Sequence, residues 1–208
     1  MDKNYWENYY ARQAPNEQPS DFARFSVGRY GAGWGRLFDI GCGNGRDSLF
    51  FASQSLACTG VEQCEVAIAK NEAKRAALGL KVSFHQGDFS ACDYDALAGG
   101  DFTIYSRFTL HAINYAEEGR LFTCLKRAKN LRYLLIEART LRDDLYGQGK
   151  QVGPHEFVTS HYRRFIDPAV LRKQLETDFE IEYFTEAQGF AKTATDDPFL
   201  IRVVARRR

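Results

Sequence analysis

No stretch of the sequence approaches the ~20 consecutive apolar residues that a bilayer-spanning helix needs. The opening Met1-Asp2-Lys3-Asn4-Tyr5-Trp6 lacks the apolar core of a secretion signal. Cysteine never occurs as Cys-x-x-Cys; the five stand at 42, 58, 64, 92 and 124. An odd, irregular set reads as reduced, buried thiols of a cytoplasmic protein, not as metal ligands or disulfides. Neither sign of charge is in excess, with 28 Lys and Arg against 27 Asp and Glu. A dedicated nucleic-acid binder carries a strong basic surplus, so nucleic acid is not the expected partner. Repeats, low-complexity tracts and Pro/Gly/Ser linkers are also missing. What remains, 208 residues of which 44% are hydrophobic, is expected to fold as one domain over 1–208, a monomer or homodimer with no membrane contact.

The order of the pattern is strand–helix alternation. Short apolar runs at 36–40, 57–61, 81–86, 101–106 and 132–137 read as strands, and 45–55, 64–78 and 116–128 as helices between them. In the second helix Val66, Ala69, Ala73 and Ala76 form the expected stripe, with Gly79 as C-cap. Residues 139–164 show little periodicity and hold Gly147, Gly149, Gly153 and Pro154, so they read as a long loop. Asp167-Pro168 then opens a helix, and two late strands near 179–185 and 198–205 suit a hairpin. Alternation of this kind predicts an α/β fold with a parallel sheet, helices on both faces and a ligand at the carboxyl ends of the strands.

The first such end carries Asp39-Ile40-Gly41-Cys42-Gly43-Asn44-Gly45-Arg46-Asp47. Its glycines suit a sharp turn and close approach of a ligand to the backbone, and the helix that follows offers unpaired N–H groups. Glu62 ends the second strand, near the ~20-residue offset at which a carboxylate takes ribose hydroxyls. The glycine spacing is not the G-x-G-x-x-G that admits a pyrophosphate.

Asp39–Gly45 resembles motif I of the class I S-adenosylmethionine-dependent methyltransferases, small-molecule type. Similarity continues through Gly60-Val61-Glu62-Gln63, Gly87-Asp88-Phe89 and Tyr105-Ser106-Arg107. The resemblance implies a Rossmann-like, doubly wound seven-stranded sheet of order 3-2-1-4-5-7-6, last strand antiparallel. It implies S-adenosyl-L-methionine as cofactor, held by Asp39, Gly41, Cys42, Gly43, Asn44, Gly45, Glu62, Gln63, Asp88, Phe89 and Ser106. Glu62 would hold the ribose, Asp88 the adenine amino group, and Phe89 would meet the adenine with its N–H or ring. The Asn/Asp-Pro-Pro-Tyr/Phe of amino-base methylases is replaced here by Ser106-Arg107-Phe108-Thr109. A nucleotide (NAD-type) oxidoreductase and a non-catalytic cofactor-binding partner stand as the alternatives.

The acceptor is expected to be a small soluble metabolite methylated at O or N. Tyr5-Trp6-x-x-Tyr9-Tyr10 resembles a lid helix of this family, within a lid region 1–30 to which Phe22 is also assigned; a plain amphipathic helix is the other reading. Tyr5, Tyr9 and Phe22 are substrate-side candidates. His111, after the fourth strand, is the preferred base or hydrogen-bonding group, with His155 and Tyr162 as further catalytic candidates in an acceptor-side loop 139–165. Arg107, Arg139, Arg163 and Arg164 complete the substrate-side set; guanidinium forks suit a carboxylate or phosphate handle, and a solvated basic segment is the bland alternative. No compact spacing among His155, Glu156 and His161 suggests zinc, and no metal is expected.

Overall fold

The computed structural model describes residues 3–12, 16–30 and 34–208. Its helices are α1 (Lys3–Arg12), α2 (Asp21–Tyr30), α3 (Arg46–Ser53), α4 (Glu65–Leu78), α5 (Tyr94–Ala98), α6 (Tyr115–Arg127) and α7 (Pro168–Leu175). Its strands are β1 (Arg36–Ile40), β2 (Cys58–Glu62), β3 (Val82–Gln86), β4 (Phe102–Arg107), β5 (Leu131–Arg139), β6 (Lys150–Gly153), β7 (Glu156–Val158), β8 (Tyr162–Arg164), β9 (Phe179–Ala187) and β10 (Leu200–Arg207). Seven strands form one sheet in the order β3-β2-β1-β4-β5-β10-β9. The pairs from β3 to β5 are parallel, and β10 is antiparallel to both β5 and β9. Counted within that sheet alone, this is the expected 3-2-1-4-5-7-6 order, its last strand reversed.

Strand alternation decides what each face buries. Phe38 and Ile40 of β1, Phe102 and Ile104 of β4, and Leu134 and Ile136 of β5 join one core cluster with α6 and α7. Leu37, Tyr105, Leu135 and Val204 face the other way, against α2 and α3. Phe22 belongs to that second cluster. It is fully buried and stacks on Tyr105 with ring centroids 5.0 Å apart, so its assignment to the lid is corrected: it is core. Positions 1, 2 and 13–15 of the expected lid region lie outside the described residues.

Caps set several helix starts. Asp167 accepts from Ala169 N at 2.8 Å, with Pro168 at the first helical position of α7. Asn114 and Glu117 form a reciprocal capping box on α6.

Two other expectations change. Residues 139–165 are not a bare loop but carry a three-stranded antiparallel sheet, β6-β7-β8. These strands have only three or four residues each, too few to show alternation among the surrounding glycines. In α4 the buried positions are Ala67 and Asn71, while Ala69, Ala73 and Ala76 of the expected stripe are exposed. Alanine marks a face poorly, and Asn71 is drawn inward because its Nδ2 donates to the Gly43 carbonyl at 2.8 Å.

Candidate active site

A cleft of about 300 Å³ opens at the carboxyl ends of β1, β2 and β4. That is the low end of the range for small-molecule sites. Its floor is the turn between β1 and α3, where Gly43 and Gly45 have φ of 53° and 72°. A side chain is excluded at both: a Cβ on Gly43 would collide with the Tyr10 hydroxyl, and one on Gly45 with the Asn71 amide. The turn is fixed to the end of β2, because Gly43 N donates to Glu62 Oε2 at 3.1 Å and Cys64 N donates to Oε1 at 3.0 Å. Cys42 and Asn44 also line the cleft.

The cleft is acidic. Burial raises the pKa of Glu62 above the usual carboxylate range, against the pull of its backbone donors. Asp39 accepts from Ser48 Oγ at 2.6 Å; burial, then the neighbouring Asp47, push it up to about 7. Asp47 is already occupied, accepting from Ser20 N and Ser20 Oγ at 2.7 Å each and from Tyr105 Oη at 2.9 Å. A buried carboxyl held back from ionising by its neighbours favours a cationic ligand and repels a pyrophosphate.

The roof is α1. Trp6, Tyr9 and Tyr10 line the cleft, with Trp6 stacked on Tyr10 at 5.9 Å. The helix is fastened at its far side. Glu7 Oε1 accepts from Glu65 N at 2.9 Å, Glu7 Oε2 from Val66 N at 3.4 Å and Cys64 Sγ at 3.1 Å, and Lys70 Nζ donates to the Tyr10 carbonyl. Towards β8, Tyr5 stacks on His161 with centroids 4.6 Å apart.

Several expected cofactor residues fall elsewhere. Ser106 pairs in register with Ile40 and shares its face of the sheet, opposite Asp39 and Arg107, so its hydroxyl is buried away from the cleft. Gln63 is not among the lining residues. Asp88 turns back on itself, accepting from Ser90 N at 2.8 Å, and lines a separate hollow with His85. Phe89 is 3% exposed and its ring is packed in the core, which removes the ring, though not the backbone N–H, as an adenine contact.

The acceptor side is sorted by ion pairing. Arg107 lines the cleft and donates to Glu137 Oε1 at 3.0 Å, while Arg202 donates to Glu137 Oε2 at 2.5 Å. The three sit in one cross-strand row of β4, β5 and β10. Arg139 is consumed by Asp143, at 2.8 Å, and by Asp196. Arg164 is consumed by Glu118 at 2.9 Å and by the carbonyls of Ile113 and Leu110. Both are structural, which corrects their assignment to substrate. Tyr162 donates to Glu156 at 2.6 Å, and burial with that carboxylate raises its pKa, so it is no base. His155, at φ 59°, bonds Tyr146 Oη at 2.9 Å and does not line the cleft. His111 is buried behind Phe108, ring centroids 5.0 Å apart. Burial, then Arg139, Arg163, His161 and Arg107, hold its pKa well below the usual value, so it is neutral. Its Nδ1 accepts from Arg139 N at 3.4 Å, which assigns the proton to Nε2. In that tautomer His111 is not set up as a base, and like His155 it does not itself line the cleft.

Asn16, Asp47 and Thr109 line the cleft without having been singled out in the sequence. Asp47 had a signal, since it closes the glycine motif; Asn16 and Thr109 had none.

Residues 37–130 match the family described as a methyltransferase domain. Over those residues the chain is similar to a methyltransferase domain. The match spans β1 to the end of α6 and so contains the glycine turn, Glu62 and His111. A Geobacillus sp. protein provisionally named a methyltransferase is 30% identical over 83 residues, 39% of this chain and 34% of that protein's length. The whole architecture matches solved structures at lower identity. An S-adenosylmethionine-dependent methyltransferase from Anabaena variabilis superposes with TM-score 0.73 at 19% identity, covering 99% of this chain and 93% of that one. One from Methanosarcina mazei gives 0.70 at 20% identity, covering 83% and 92%. The glycopeptide N-methyltransferase MtfA, solved with S-adenosyl-L-methionine, gives 0.65 at 18% identity, covering 91% and 95%. The class I methyltransferase fold therefore extends over nearly the whole chain.

Proposed function

We propose that the chain is an S-adenosylmethionine-dependent methyltransferase acting on O or N of a small metabolite. The observation that carries this is the chemistry of the cleft: a glycine turn backed by Glu62 and Asp39, two buried carboxyls whose protonation is favoured by their surroundings. Such a site suits a nucleoside with a cationic tail. The glycine spacing, and the two carboxyls Asp39 and Asp47 beside the turn, speak against the NAD-type alternative, which needs that turn to take a pyrophosphate. Glycine-turn geometry, the family match over 37–130 and the fold all support the reading.

In this reading S-adenosylmethionine supplies an electrophilic methyl group on a sulfonium. The chain supplies position and dryness. Glu62 accepts from the ribose hydroxyls, Asp39 balances the positive tail, and the α1 aromatics exclude water and offer π-faces to the sulfonium. An acceptor proton leaves to solvent, since neither His111 nor Tyr162 is set up to take it.

Calorimetric titration with S-adenosylhomocysteine, with NAD as control, tests the reading. Micromolar binding of the former that Glu62→Ala weakens at least 30-fold supports it. Tighter binding of NAD overturns it.

A further inference from the structure

Arginines not exposed to solvent are matched across the acceptor side with one exception. Arg107 and Arg202 share Glu137, Arg139 has Asp143 and Asp196, and Arg164 has Glu118, each within 4.0 Å. Among the described residues Arg163 has no carboxylate within that distance; its side chain donates through Nη1 to Thr159 Oγ1 at 2.8 Å and is partly buried. Leaving a guanidinium partly desolvated without a counter-charge is unfavourable, and the remaining fork donors have a geometry that matches two oxygens of one anion.

Its position gives the missing anion a role. Along β8, Tyr162 and Arg164 point into the body, to Glu156, Ile113 and Leu110. Arg163 therefore points to the opposite face, the one it shares with His161 and Thr159. His161 meets Tyr5 of α1 at 4.6 Å and Trp6 at 5.6 Å, and Trp6 lines the cleft. Arg163 also acts electrostatically on buried His111; burial, then Arg139, lower its own pKa, against the pull of Tyr5, Asp143 and Asp196.

We propose that Arg163 is the receptor for an oxyanion, a carboxylate or a phosphate monoester, on the methyl acceptor. Thr159 aims the guanidinium, and the Tyr5–His161 stack closes over it. The substrate class is thereby an anionic metabolite, not a neutral amine or a phenol without a charged group. This rests on the methyl-transfer reading for the word acceptor, but the anion site stands or falls by its own measurement.

The test titrates the full chain, with and without saturating S-adenosylhomocysteine, at constant ionic strength. Inorganic phosphate and benzoate are the probes and chloride is the control. Trp6 fluorescence is the readout, since Trp34 is buried in the core. Saturable millimolar binding of phosphate, benzoate or both is expected, and the tighter of the two names the handle. Arg163→Gln weakens it at least tenfold, and Arg163→Lys, which keeps the charge but loses the fork, about threefold. S-adenosylhomocysteine affinity should move by less than twofold in both, which also reports that the variants fold. Absence of saturation in the native protein, or saturation that Arg163→Gln leaves unchanged, overturns the proposal. Arg163-dependent anion binding without any S-adenosylhomocysteine binding would instead sink the methyltransferase reading and keep the anion site.

Discussion

The two banks of the cleft carry opposite charge and are held in opposite ways. On the acidic bank the glycine turn is fastened over short range: Asp39 and Ser48 are nine residues apart, Gly43 and Glu62 nineteen, while Asp47 reaches further, to Ser20 and Tyr105. On the basic bank most ties are long: thirty residues separate Arg107 from Glu137, fifty-seven Arg139 from Asp196, and sixty-five Glu137 from Arg202, with the Arg139–Asp143 pair, four residues apart, an exception. The turn can be read from local spacing, whereas the row of Arg107, Glu137 and Arg202 exists only after the sheet has closed.

The comparison breaks most visibly if the basic bank is cut. Arg164→Met leaves Glu118 buried without its cation, and removing one partner of a buried pair costs about 3–5 kcal/mol. Chemical denaturation should show that loss, whereas a change below about 1 kcal/mol would mean that Arg164 is not structural. Cutting the acidic bank should act on binding instead. Glu62→Ala frees the Gly43 turn and removes the carboxylate proposed to hold the ribose, an expected loss of about 2–3 kcal/mol in S-adenosylhomocysteine affinity by calorimetry.

A third experiment sharpens the electrostatics. The Asp39 carboxyl is pushed up to about 7, above its value in an unfolded chain, so the folded state binds the extra proton. Its contribution to stability is present below about pH 4 and is lost as pH rises towards 7. Asp39→Asn should therefore gain stability relative to the native chain at pH 8 and not at pH 4. A cationic ligand favours ionised Asp39, so S-adenosylmethionine affinity should rise up to about tenfold from pH 6 to 8, and Asp39→Asn should flatten that slope. Equal slopes would remove Asp39 from the cationic subsite. The smallest effect is expected at the seam of the banks. Tyr5→Ala loses the stack on His161, worth about 0.5–1.5 kcal/mol, together with ring contacts to Trp6 and Tyr9, and should raise the acceptor KM more than it weakens S-adenosylhomocysteine affinity.

The same contrast explains what was legible in the sequence. The sheet order, the glycine turn and Glu62 rest on periodicity and short-range spacing, and all three lie as expected. Phe22 and Phe89 were misplaced because an aromatic after a turn looks alike whether it roofs a ligand or fills a core. Arg164 looks free in the sequence because Glu118 lies far from it in the chain; Arg139 has Asp143 four residues on, but in a stretch that reads as loop, where that spacing carries no signal. The small sheet β6–β8 was missed for want of length, and with it the alternation that separates Arg163 from its neighbour. Sequence reasoning favoured His111 as a base because it does not see four cationic neighbours converging on one ring.

The grip of Glu7 on the start of α4 ties two events together. The amides of Glu65 and Val66 sit in the first turn of a helix, where no carbonyl of that helix can reach them. Any lifting of α1 would bare those two protons to solvent. Hydrogen–deuterium exchange at just those two positions therefore reports how firmly α1 is seated, with no acceptor in hand, and Glu7→Gln is expected to speed it.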